Sequence, residues 1–388
     1  MKNKKKQKER RLFFVAVSTL IGTIIGAGIL GIPYVVAQSG FFVGLLHIIL
    51  LGLIMLLVNL YLGEIALRTP GTRQQLTGYA QTYLGKFGKL LMAFSMIFGI
   101  YGALTAYIVG EGEVLSFVFT TTLTHKLLFC IIFWMLMSCL VVFEIKMLGR
   151  GEAVGIIGEF GVLIAIMTFF IPKIKVTNLA YLATKPSLLF LPYGVVLFSF
   201  LAFSALPELE QELKQNVRIM KKAIITGSII PIAIYALFAL AVVGYAGNAT
   251  PQVATIALGR LPSAFAIFSM FTAFFALAYA LRTMYEYDFK MSKIKSWILT
   301  TVVPIGLAVI IIIWKLATFT QILSVTGSVT GGLTGILILL INKKAKKIGK
   351  RKPEYSIKIN WFLIIFIAAI FVAGIVFDLW RFYGKFFG

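Results

Sequence analysis

The stretch IGTIIGAGILGIPY, residues 21–34, decides the fold. It lies within an apolar segment running from Leu12 to Ala37, which is long enough to cross a bilayer. Gly22, Gly26, Gly28 and Gly31, followed by Pro33, weaken helical hydrogen bonding at mid-segment. Bare backbone N–H and C=O groups are costly in hydrocarbon, so such a break needs protein or a wet cavity around it. The pattern therefore predicts a discontinuous membrane helix and a binding site made of backbone. The competing reading is a simple kink, or glycines placed for close helix packing.

The rest of the chain fits a membrane protein. Of its 388 residues 60% are hydrophobic and only 13% charged, which excludes an ordinary soluble domain. Apolar segments recur at 12–37, 41–67, 90–116, 126–145, 152–171, 188–207, 223–246, 263–281, 296–314, 319–341 and 360–380. The expected fold class is all-α transmembrane with eleven helices. A net charge of +23 would suggest nucleic acid in a soluble protein, but the placement of the charge argues otherwise. With the N-terminus in the cytoplasm and alternating sides, cytoplasmic segments hold 29 of the 37 Lys and Arg residues. The positive-inside rule thus puts the N-terminus inside, the C-terminus outside, and the chain in the cytoplasmic membrane as a multi-pass protein. The basic tail 1–11 and the run KKAKKIGKRK at 343–352 anchor that topology and face anionic lipid. The first apolar segment is too long for a signal peptide and reads as a retained span.

Enzymatic chemistry finds no support. Cys130 and Cys139 share one span without metal or disulfide spacing, and His47 and His125 are isolated. There is no phosphate-binding loop, so ATP-driven transport by this chain alone is not expected, nor is a cofactor or a nucleic-acid partner. The glycines of the fifth span, Gly151, Gly155, Gly158 and Gly161, read as close-packing positions.

A second interruption lies in LLFLPYGVVLFSFLAFSALPELE, 188–210, between Pro192 and Pro207. Both broken spans end in an apolar residue plus proline, Ile32-Pro33 and Leu206-Pro207. The breaks are five spans apart, and an odd number of spans inverts the second unit relative to the first. The expected organisation is a five-helix repeat over 12–172 broken near 26–31, an inverted repeat over 188–342 broken near 198–204, and an additional helix at 360–380. Paired discontinuous helices at matching positions point to a transporter site at the midplane. One half-helix presents free N–H groups at its positive end and the other presents free C=O groups. A zwitterion needs both, so the site suits a free amino acid.

At this point the residues resemble a known family. GTIIGAGILGIPY is similar to the first-helix signature of the amino acid–polyamine–organocation superfamily, closest to its amino acid/auxin and aromatic permease branches. LRTPGTRQQLTGYAQTYLGKFGK (67–89), TAYIVGEGEVLS (105–116) and GVVLFSFLAFSALPEL (194–209) resemble that branch's first cytoplasmic loop, third helix and sixth helix. The resemblance implies a leucine-transporter-like fold of five plus five inverted helices with one extra, and proton- or sodium-coupled amino acid uptake. It places first-helix substrate contacts on Thr23, Ile24, Gly26, Ala27 and Gly28, with Gly26–Gly28 backbone on the carboxylate and the Ile24 carbonyl on the ammonium. In the sixth helix it points to Phe198, an aromatic gate, with Ser199, Phe200 and Ala202, the last a departure from the family's usual glycine. Tyr107 is a wall or gate.

The driving ion is open between two choices. By the same resemblance, a sodium site would use the carbonyls of Gly22 and Ile25 with the hydroxyls of Ser269 and Thr272, which share one helix face but are not adjacent. Hydroxyls bonded back to their own helix are the alternative there. A proton needs an intramembrane acid, a functional candidate by default. Glu159, with Glu152 seven residues before it, and Glu113, beside Glu111, fit that role, and proton coupling ranks ahead of sodium. Glu64 reads as an i,i+4 partner of Arg68, with a gate role as the alternative. A nutrient receptor or ion-conducting subunit on the same scaffold, as in spore germinant receptors, is the competing functional class.

Overall fold

A computed structural model describes residues 2–69, 75–142, 150–214, 216–287 and 289–387, without the side chains of 2–5, 150–157, 159 and 385–387. Among the described residues the chain is helical throughout, apart from turns and an isolated bridge between Gly40 and Leu182. The order is α1 (Lys2–Ile24), a 3-10 turn (Ala27–Leu30), α2 (Ile32–Ser39), α3 (Phe41–Arg68), α4 (Leu76–Thr120), α5 (Lys126–Val142) and α6 (Arg150–Phe170). Two short helices follow, α7 (Val176–Leu179) and α8 (Pro186–Leu189), then α9 (Pro192–Ser199) and α10 (Ala205–Glu212). The chain ends with α11 (Met220–Ala246), α12 (Arg260–Tyr287), α13 (Lys293–Ile313), α14 (Phe319–Ile348) and α15 (Trp361–Phe387).

Seven of these are long and apolar enough to span a membrane, and the bent pair Lys6–Ile24 with Ala27–Ser39 makes an eighth if counted as one span. The other three expected spans fall on the shorter apolar helices Lys126–Val142, Phe160–Lys173 and Pro186–Ser199. The expected cytoplasmic loop 68–89 departs from expectation. Its second half is helical from Leu76 and turns at Gly85, whose φ of 78° is a left-handed conformation suited to glycine.

α14 is the central packing element because its middle, TGSVTGGLTG (326–335), is nearly all small. A Cβ on Gly99 of α4 would lie 2.7 Å from the Thr330 hydroxyl, and Ser95 Oγ meets Thr334 Oγ1 at 2.8 Å. Towards α9, a side chain on Gly327 would begin 2.6 Å from Phe198, and one on Gly331 would begin 2.8 Å from Leu197. Gly332 and Gly335 meet Ile375 and Phe371 of α15 in the same way. Small residues let three helices approach one axis, which is how membrane helices gain dispersion contact. The fifth-span glycines do not play that part: no described atom lies within 4 Å of a Cβ on Gly158 or Gly161, and the surroundings of Gly151 and Gly155 lie outside the described residues.

At the far end of α3 the expected Glu64–Arg68 pair is present at 2.8 Å and is part of a larger knot. The Glu64 carboxylate is fully buried and also accepts from Lys346 Nζ (2.9 Å), Ser356 Oγ (2.8 Å) and the Ile357 N–H (3.0 Å). Tyr355 donates to the Leu60 carbonyl and Tyr61 to that of Lys358. Together these bonds lash the segment 355–358 to α3 and α14.

Candidate functional site

The first break begins where α1 runs out at Ile24. The Ile25 N–H still reaches Ile21 O (2.7 Å), but that of Gly26 turns to Ile24 O (3.0 Å). Gly26 is extended, φ −119° and ψ −159°, and one 3-10 turn leads into α2. Pro33 occupies the first turn of α2, where a missing N–H costs nothing. The Ala27 and Gly28 N–H groups open the 3-10 turn and so lack intrahelical acceptors. The second break follows the same logic. α9 ends at Ser199, residues 200–204 leave the helix, and α10 restarts at Ala205 with Pro207 in its first turn.

The two breaks meet. A Cβ on Gly28 would lie 2.6 Å from Ser199 Oγ and 2.9 Å from Ser199 Cα, so only glycine permits this approach. Between the breaks lies Tyr235 of α11, fully buried, whose phenol is 2.6 Å from the Ile24 carbonyl and 2.8 Å from the Ser199 carbonyl. A phenol has one proton to donate, so both carbonyls share it. Its ring packs on Phe200 at 5.1 Å. Sequence reading missed Tyr235. The carbonyls that need it are only made bare by the breaks, and α11 is placed beside them by tertiary packing.

The predicted residues separate into groups. Tyr107 and Phe198 come together edge to face, 6.5 Å between ring centroids, and both are buried. Ile24, Ala27, Gly28, Ser199, Phe200 and Ala202 are buried around the junction of the breaks. Ser199 bonds its hydroxyl back to Val195 O at 2.8 Å. Gly26 is half-buried, and a Cβ there would meet nothing within 4 Å. Thr23 is exposed, its hydroxyl tied to Thr19 O at 2.9 Å. Ser204, in the second break, is exposed as well.

Of the proposed sodium ligands, Gly22 is half-buried, while Ile25 and Ser269 are buried. Thr272 Oγ1 bonds within its own helix, to Phe268 O and Ser269 O at 3.1 Å each. Of the acids, Glu113 is engaged by Lys126 Nζ at 2.7 Å, across the α4–α5 corner. Glu159 sits within α6, with its side chain outside the described residues, as does that of Glu152. Glu111 is buried and unpartnered: it is 0% exposed and neither carboxyl oxygen has a hydrogen-bond partner among the described residues.

Fold and site define an α-helical, multi-pass membrane protein whose two interrupted helices join at a buried backbone junction. A sequence model of the tryptophan/tyrosine permease family matches residues 9–378, and the chain belongs to that family. It is 30% identical over 235 residues to tyrosine-specific transport system 1 of Haemophilus influenzae, covering 58% of this chain and 57% of that protein. It is 28% identical over 238 residues to tyrosine-specific transport system 2 of the same organism, covering 60% and 58%. Glutamine transporter 2 of Aliivibrio fischeri is 24% identical over 312 residues, covering 75% and 79%. The matched stretch thus spans a little over half the length of the two tyrosine systems. The matched family is one of permeases, in line with the expected aromatic permease resemblance.

Proposed function

We propose that this chain is a secondary active transporter of amino acids in the cytoplasmic membrane, working by alternating access on a leucine-transporter-like arrangement of the amino acid–polyamine–organocation superfamily. The observation that carries the proposal is the junction of the two breaks, Gly28 against Ser199 with Tyr235 across both. It sets the N–H groups of Ala27 and Gly28, which open the 3-10 turn, beside the carbonyls of Ile24 and Ser199 that the Tyr235 phenol holds, the donor and acceptor pair a zwitterion needs. Tyr107 and Phe198 offer an aromatic wall to the side chain. Tyrosine is the first substrate to test, from the family and two of the relatives; glutamine is the second, from the third relative. Exposure of Thr23 and Ser204, against burial of Ala27 to Pro33, supports access from the α1 side. With the N-terminus in the cytoplasm, that is the inner side. A proton is favoured over sodium because the Ser269 and Thr272 hydroxyls are three residues apart rather than an adjacent pair.

The test uses purified protein in proteoliposomes loaded with unlabelled tyrosine or glutamine, reading entry of the labelled amino acid by counterflow. A pH gradient and then a sodium gradient follow with empty vesicles. Tyrosine counterflow with pH-driven accumulation is the expected result. Binding of tyrosine without any counterflow would replace the transporter with a receptor on the same scaffold.

A further inference from the structure

Glu111 is the most unusual charge-bearing group in the molecule. It lies in the outer half of α4, exactly one helical turn (four residues) beyond Tyr107 and so on the same face. Tyr107 in turn touches Phe198 at the second break. Glu111 therefore adjoins the junction without being part of its backbone.

Among the described residues its surroundings offer no counter-charge. On its own helix the titratable neighbours are Tyr107 and Glu113. From α5 come Cys130, within electrostatic range of Glu111 and Glu113, and Lys126. The Lys126 ammonium is held 2.7 Å from Glu113, and the Cys130 thiol donates to Ile108 O at 3.1 Å. Beside Gly110, α12 and α14 contribute Met270 and Phe319, which carry no charge. Tyr235 of α11, beyond Tyr107, gives its proton to Ile24 and Ser199. A bare carboxylate in such a place has neither donor nor cation, and burying an unpaired charge is prohibitive. The neutral acid fits this packing.

We propose that Glu111 is the proton-carrying group of the transport cycle. It holds its proton while the packing around it is shut, and its O–H bond breaks, the proton passing to water, when the helices part and water reaches it. This rests on the transporter reading above and assigns its coupling ion to one side chain. The neighbouring acid Glu113 is excluded from the role by its ion pair with Lys126.

The experiment compares wild type, Glu111→Gln and Glu111→Asp in proteoliposomes with labelled tyrosine, by counterflow at several pH values and by accumulation under a pH gradient. Glu111→Gln keeps the volume and removes the titrating proton. The expected result is loss of pH-driven accumulation in Glu111→Gln, with counterflow persisting and no longer changing with pH. Accumulation in Glu111→Gln at the wild-type level would overturn the proposal. So would wild-type counterflow without any pH-driven accumulation, which leaves the transporter reading standing. If Glu111→Gln loses counterflow too, Glu111→Asp decides: pH-driven accumulation in that variant supports a proton at this position, and its inactivity overturns it. Absence of counterflow from the wild type with both tyrosine and glutamine would instead sink the transporter reading on which the proposal stands.

Discussion

Replacing Tyr235 by phenylalanine removes one oxygen and leaves the ring on Phe200, 5.1 Å away. That oxygen bonds the carbonyls of Ile24 at 2.6 Å and Ser199 at 2.8 Å, each at the end of a half-helix. Both acceptors are in buried residues; Ile24 O keeps the Gly26 N–H at 3.0 Å, so the orphaned acceptor in the variant is Ser199 O. Leaving a buried acceptor without its donor costs about 1–3 kcal/mol. If the bridged junction is the form that binds substrate, the same energy weakens tyrosine binding by about 5- to 150-fold. The assay is equilibrium binding of labelled tyrosine to the purified variant, beside thermal unfolding in the same detergent. The expected result is weakened binding and a lowered unfolding temperature in a protein that still elutes as a single folded species. Unchanged affinity together with unchanged unfolding would refute the claim that the phenol organises both breaks.

Four further predictions rest on the same packing. Gly28→Ala should destabilise the fold by about 1–3 kcal/mol through overpacking on Ser199. Gly26→Ala should fold normally, since its Cβ enters open space, and lose tyrosine binding; normal binding there would argue against a site of Gly26–Gly28 backbone. Glu64→Gln should cost up to about 3 kcal/mol in unfolding assays, because it leaves Lys346 and Arg68 facing a neutral group, with their partial exposure softening the loss. Glu113→Gln should retain pH-driven accumulation and lose no more than about 1 kcal/mol of stability, the scale of a partly exposed ion pair. Loss of pH-driven accumulation in that variant would move proton coupling from Glu111 to Glu113.

Much of the fold was legible because its signals are local. Hydropathy marks where helices run, and all eleven expected segments overlap helices in the structure. Glycine and proline suggest where they stop: interruptions are expected near 26–31 and 198–204, and the regular α-helix lapses over 25–31 and 200–204. The helix 76–84 ahead of Gly85 was less visible, since its mixed polar and apolar residues form no continuous apolar run. The site was legible by half. Tyr107 and Phe198 were singled out and do touch. Thr23, by contrast, is exposed, and Thr272 is spent on its own helix, because a residue's position along a helix does not say which neighbour that face meets.

The sequence by itself determined an all-helical membrane chain, the two interruptions, the basic flanks and a first-helix signature agreeing with the tryptophan/tyrosine permease family. These depend on composition and on backbone chemistry within a few residues. Tertiary structure alone decided that Gly28 abuts Ser199, that Tyr235 serves both breaks, that Lys126 takes Glu113 and that Glu111 has no hydrogen-bond partner among the described residues. The physical reason is one of range. A hydrogen bond or ion pair depends on a few ångströms between groups as far as 297 residues apart in sequence, and only packing of the helices sets that separation.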